Sequence, residues 1–157
     1  MNIQLLAIGE KMPTWVTEGF NDYAKRIRRD CRLTLKEVRA GKRTKNADLL
    51  RIRADESQRL LAAVPNGSRI ILLDIDQKPW STPELAQQIK NWMASGQHTA
   101  LLIGGPDGFD DICRSRADQI WSLSPLTFPH SLVRIIVAEQ IYRALSILRN
   151  HPYHRAG

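Results

Sequence analysis

The chain has 157 residues, 43% of them hydrophobic and 25% charged, ordinary proportions for a globular protein and enough chain for one domain. Collagen-like, disordered and disulfide-stapled mini-protein architectures are excluded, because a chain of this length buries roughly 70% of its unfolded surface without covalent help. The net charge of +7 is unevenly placed: residues 1–60 hold 14 Lys/Arg against 8 Asp/Glu, and residues 25–53 hold 12 against 3.

Such a field attracts polyanions, nucleic acid foremost; a solvated helix face with a basic loop is the plainer alternative. No strongly amphipathic Lys/Trp segment accompanies the charge, so a membrane partner is not expected. The longest apolar runs, 70–73 and 135–138, fall far short of the ~20 residues that span a bilayer. Met1 leads straight into an apolar strand pattern with no signal-peptide layout, and a cytoplasmic protein is expected. Cys31 and Cys113 belong to no CxxC pair and read as reduced, structurally minor thiols.

In chain order, residues 3–8 read as a buried strand ended by Gly9. Trp15, Phe20, Tyr23 and Ile27 at helical spacing predict a helix over 14–27, with Pro13 placed to start it. Residues 33–38 form a second strand pattern. The stretch 40–46 has no apolar anchor and reads as an exposed basic loop whose Lys42, Arg43 and Lys45 are candidates for phosphate contacts. A helix over 46–63 carries Leu49, Ile52, Leu60 and Leu61. Asn66-Gly67 turns into a strand over 69–74. Ser81-Thr82-Pro83-Glu84 starts a helix with a hydroxyl cap, an early proline and a Glu three residues on, and Gly96 stops it.

A strand over 99–103 runs into Gly104-Gly105-Pro106-Asp107-Gly108. A short helix near 110–118, an apolar segment over 120–123 and a loop over 124–130 follow. The last element is a long helix over 131–149 with Leu132, Ile135, Ile136, Ile141, Leu145 and Leu148 as its apolar stripe. Strands alternating with helices predict an α/β fold of three layers around a mostly parallel sheet. Ligands bind such sheets beyond the carboxyl ends of the strands, so the loops after Asp74, Ile103 and Leu123 are the candidates.

Dinucleotide-binding, P-loop, α/β-hydrolase and zinc-protease signatures are absent from the sequence. Gly104-Gly105-Pro106-Asp107-Gly108 offers close backbone approach to a ligand, although Gly and Pro also simply make turns. Leu123-Ser124-Pro125-Leu126-Thr127-Phe128-Pro129-His130 combines apolar side chains, hydroxyls and prolines, suited to wrapping an adenine or to packing on itself. His151-Pro152-Tyr153-His154-Arg155 pairs an aromatic ring with an arginine, a combination that stacks a base and holds a phosphate. No third ligand lies near His151 and His154, so no metal is expected.

Together with Gly41-Lys42-Arg43 and Asn46-Ala47-Asp48, these segments in this order resemble the ribosomal RNA large subunit methyltransferase H family of the SPOUT methyltransferases, over essentially the whole chain. The resemblance implies a mostly parallel α/β sheet whose C-terminal part is tied in a trefoil knot. It implies a homodimer that binds S-adenosylmethionine in the knot and methylates N3 of a pseudouridine in helix 69 of 23S rRNA, on the assembled ribosome. Carried over by position, the cofactor site takes Leu73, Gly104, Leu123, Ser124, Pro125, Leu126, Thr127 and Phe128. Pro125 stands at a more variable position of the family loop and offers no amide there.

Methyl transfer from a sulfonium is an in-line displacement, so catalysis is largely alignment. The imide N3 must lose a proton, and cationic donors favour the developing charge. Arg143, His154 and Arg155 are the candidate suppliers of that field, Tyr153 the candidate stacking partner, and His154 the candidate base. A non-catalytic RNA-binding or ribosome-associated factor is the alternative, and a methyltransferase of the same fold acting on tRNA is a third.

Overall fold

The computed structural model describes residues 1–155, with the His154 side chain outside the description. Five strands form one sheet, ordered β2-β1-β4-β3-β5: β1 Asn2–Ile8, β2 Arg32–Val38, β3 Arg69–Leu73, β4 Thr99–Ile103 and β5 Gln119–Trp121. Every pairing is parallel. The helices are α1 Thr14–Ala24, α2 Leu49–Ala63, α3 Thr82–Ser95, α4 Asp111–Arg116 and α5 His130–Leu148, followed by a 3-10 turn, Pro152–Arg155.

The period-2 alternation of side chains divides the core into two layers. Ile3, Leu5, Ala7, Ile71, Leu101 and Ile103 face the side covered by α1, α3 and α5. Leu6, Ile8, Ile70, Leu72, Ala100 and Leu102 face α2 and α4. Both faces of the sheet are covered, and β1 from Leu5 and β4 from Ala100 read as apolar runs because they are buried on both sides. Among the described residues no helix is long and apolar enough to cross a membrane.

The α3 signals act as their chemistry requires. Ser81 accepts from the Glu84 amide at 3.2 Å, Glu84 accepts from the Ser81 amide at 3.1 Å, and Gly96 closes the helix at φ 71°.

Three sequence expectations need correction. Helix α1 ends at Ala24, not at residue 27: the Arg26 and Ile27 amides donate to Tyr23 and Ala24, a tightened turn that swings Ile27 into the core. Trp15, counted on the apolar face, is half exposed. On α5 the buried arc is Arg134, Val137, Ala138, Ile141, Ala144 and Leu145, while Leu132 is exposed and Ile135, Ile136 and Leu148 are half-buried. Arg134 displaces them. Its guanidinium donates to Gly9 O at 2.7 Å, Ile8 O at 3.3 Å and Glu37 at 2.6 Å, stitching α5 to the carboxyl end of β1.

Candidate active site

The carboxyl ends of β3, β4 and β5 bring their three following loops together around one cavity of about 400 Å³, within the usual range for a small-molecule site. Leu73, Gly104, Leu123, Ser124, Leu126, Thr127 and Phe128 all line it. Pro125 is exposed and is not among the lining residues, so its missing amide leaves the cavity wall unchanged. Ser124 shapes the loop: its hydroxyl accepts from the Leu126 amide at 3.0 Å, and its carbonyl accepts from the buried Ser122 hydroxyl at 3.2 Å.

Further lining comes from Asp74, Asp76, Asp107, Phe109, His130 and Val133. His130 opens α5, and its buried Nδ1 has no hydrogen-bond partner among the described residues. Burial, with the charge of Arg134 behind it, holds the imidazole below its ordinary pKa; at neutral pH it faces the cavity uncharged.

At Gly104 a side chain would crowd the loop itself. A Cβ there would stand 3.2 Å from Gly108 O and 3.3 Å from the Phe109 ring, so bulk would load the loop before it reached the cavity. A Cβ on Gly105 would meet Glu56 Oε1 at 2.5 Å.

That contact leads to the basic loop. Glu56 of α2 is 1% exposed and accepts two hydrogen bonds from the Arg43 guanidinium, at 2.8 and 2.9 Å, and a third from the Gly41 amide at 2.9 Å. Arg43 also donates to Asp107 at 3.0 Å. Its pKa rises further above its ordinary value, chiefly through Glu56. The expectation that Arg43 is a free phosphate contact is therefore corrected. Its fork is spent on two carboxylates and bolts the loop after β2 to the glycine loop after β4. Lys42 and Lys45 remain exposed. Alanine at both positions is expected to lower the salt slope of nucleic-acid binding by up to about two phosphate contacts; an unchanged slope would make them mere solvated charges.

The C-terminal candidates lie elsewhere. Arg143 pairs with Glu139 at 2.6 Å, Tyr153 Oη donates to Glu139 at 3.2 Å, and the Arg143 guanidinium sits 5.0 Å from the Tyr153 ring centre. Burial and Glu139 push the Tyr153 phenol up to about 12, so at neutral pH it is a donor and not a base. Its ring already packs on Tyr142 at 4.6 Å, which limits the free face for base stacking. Arg155 is exposed, and the His154 side chain lies outside the described residues.

Among the described residues, Arg143, Tyr153 and Arg155 do not line the cavity. Arg143 stands thirteen positions beyond His130 on α5, about 20 Å at the helical rise. Glu139 was not singled out from the sequence, although its i,i+4 spacing to Arg143 is the signal that could have found it. Both cysteines are free and buried, with thiols pushed by burial to about 11 and 12, which agrees with inert roles.

The model of the family described as "Predicted SPOUT methyltransferase" matches residues 1–154. The chain is 56% identical over 155 residues to the ribosomal RNA large subunit methyltransferase H of Methylococcus capsulatus, covering 99% of this chain and all of that one. It is 54% identical to the protein of the same name from Thioalkalivibrio sulfidiphilus, covering 99% of both. The chain belongs to the SPOUT methyltransferases, in the ribosomal RNA large subunit methyltransferase H family.

Proposed function

We propose that two copies of this chain, each a single domain, transfer a methyl group from S-adenosylmethionine to N3 of pseudouridine 1915 in helix 69 of 23S rRNA on the assembled ribosome. The observation that carries the reading is the cavity at the carboxyl ends of β3, β4 and β5, in a chain that matches rRNA methyltransferases along its length.

The residues fit the cofactor. Leu73, Ile103, Leu123, Leu126 and Phe128 give apolar walls for an adenine, and Gly104 and Gly105 let backbone come close. Asp76 and Asp107 supply negative charge for a ligand that carries a sulfonium and an ammonium. His130, its pKa held down by burial, completes the wall on the α5 side. Bound there, S-adenosylmethionine supplies an electrophilic methyl carbon. We place the family's trefoil knot around this 122–128 loop.

Residues of the second group handle the acceptor base. Glu139 fixes the Arg143 fork and the Tyr153 hydroxyl, so a permanent cation is held in place for the charge that develops as N3 loses its proton. Val133 is the last α5 residue on the cavity, and the ten residues from there to Arg143, about 15 Å of helix, set one chain's Arg143 apart from its own cavity. A symmetric dimer removes the difficulty by setting the tail of one chain beside the cavity of the other. Half-buried Ile135 and Ile136, with exposed Leu132 and Trp15, supply apolar surface for such a pairing.

The test is cofactor binding followed by transfer. At a hundredfold excess over its dissociation constant, S-adenosylmethionine is expected to raise Tm by about 5–10 °C, and labelled methyl is expected in rRNA. Gly104→Val is expected to fold, with a lowered Tm, and to lose the cofactor shift. A parental protein that the cofactor leaves unshifted would be a non-catalytic binder, and unaltered binding by Gly104→Val would remove that glycine from the site.

A further inference from the structure

A second cleft, of about 440 Å³, opens where the end of α1 meets the end of α5. Its charge is one-sided. Arg26, Arg28 and Arg29 line it from the turn after α1, and Arg149 and His151 line it from the end of α5. Among the described residues no carboxylate lines it, and none pairs with Arg28, Arg29 or Arg149. The wall is built, not fortuitous. Arg149 donates to Arg28 O at 2.6 Å across the cleft, and Arg26 lies over the Tyr142 ring at 5.7 Å while Asp22 holds its Nη2 at 3.1 Å. Arg29 and Asn150 take left-handed backbone conformations, φ 70° and 56°, that turn the chain sharply at each rim.

We infer that this cleft seats a backbone phosphate of the RNA substrate, next to the nucleotide that is methylated. The inference rests on the function proposed above and adds a subsite to it. Like charges gathered without counter-ions favour a polyanion, and arginine forks match phosphate oxygens geometrically. Position selects which phosphate. Tyr142 lines the cleft and packs on Tyr153 at 4.6 Å, and the Arg143 guanidinium lies 5.0 Å from the centre of the same Tyr153 ring. A phosphate in the cleft therefore puts its nucleotide beside the Glu139–Arg143–Tyr153 group. The first cavity has no such surplus of cations: its Arg114 pairs with Asp74 at 2.8 Å, Arg43 holds Asp107 at 3.0 Å, and Asp76 adds a further carboxylate.

The experiment measures ribosome binding against salt, which needs no turnover. The probes are ribosomes from cells lacking this gene and the Arg28→Ala/Arg29→Ala protein. The salt slope is expected to fall by about two contacts, with affinity at least tenfold weaker near 0.1 M salt. Arg28→Lys/Arg29→Lys is expected to keep most of the slope, since a lysine still neutralises phosphate. Lys78→Ala/Lys90→Ala, which removes equal charge elsewhere, is expected to change it little. Calorimetry with S-adenosylmethionine is expected to match the parent.

A parental slope in the double alanine variant overturns the inference. So does an equal loss in the Lys78/Lys90 control, which would assign the effect to net charge. Inorganic phosphate binding tightly with the ribosome slope unmoved would overturn it in favour of a small-anion site. Should the parent bind ribosomes with the expected slopes yet transfer no methyl group, the proposed reaction falls while the cleft stands.

Discussion

Arg43→Ala will weaken S-adenosylmethionine binding by at least tenfold, although Arg43 belongs to the basic loop and lines no part of the cavity. Removing the guanidinium leaves the Glu56 carboxylate, 1% exposed, with only the Gly41 amide. Stranding a buried charge in this way costs about 3 kcal/mol. The cheapest relief is for Glu56 to move toward water, and Gly105 is packed against it. The glycine loop therefore shifts, and Asp107 loses the donor that fixed it at 3.0 Å.

Adding Glu56→Gln to Arg43→Ala removes the stranded charge and is expected to return part of the stability, a non-additivity that only contacting residues show. Arg43→Lys keeps the charge but not the fork, and is expected to fall between parent and alanine. The measurement is calorimetric cofactor affinity beside thermal stability. Parental affinity in a folded Arg43→Ala protein would show that the bolt does not shape the cavity.

Mixing Gly104→Val chains with Arg143→Ala chains is expected to restore activity that neither has alone. If each site joins the cavity of one protomer to the tail of its partner, every mixed dimer regains one working site. Random pairing then yields about a quarter of parental activity. Arg143→Ala homodimers should bind cofactor normally, since Arg143 does not line the cavity, while their transfer rate drops by a hundredfold or so. A mixture as inactive as its components, or a fully active monomer, would contradict the shared site.

Much of this was legible in the sequence, for identifiable reasons. Turn and cap chemistry is local, so Ser81-Thr82-Pro83-Glu84 and Gly96 bounded α3 to the residue. Strands buried on both faces carry continuous apolar runs, which gave β1, β3 and β4. The rule that ligands sit beyond the carboxyl ends of parallel strands led to the three loops that line the cavity.

What stayed hidden is long-range. Arg134 and Glu56 are charged residues that pattern reading sends to solvent, yet both are buried: the partners of Arg134, Gly9 and Glu37, are far away in sequence, and Arg43 reaches Glu56 from the loop before α2. Arg43 looked like one more cation in a basic loop until Asp107 and Glu56 closed around it. The tail and the cavity loops looked like parts of one site in the linear order. Only the length of α5 separates them.

The most direct test of the account is to locate the methyl group. Ribosomes from cells lacking the gene are incubated with the purified protein and labelled S-adenosylmethionine, and the 23S rRNA is then digested and its fragments weighed. The account predicts one added methyl group in the helix 69 fragment, on the pseudouridine base at N3 and absent from free rRNA treated alike. Label in tRNA, or none in ribosomal RNA while the cofactor still binds, would contradict it.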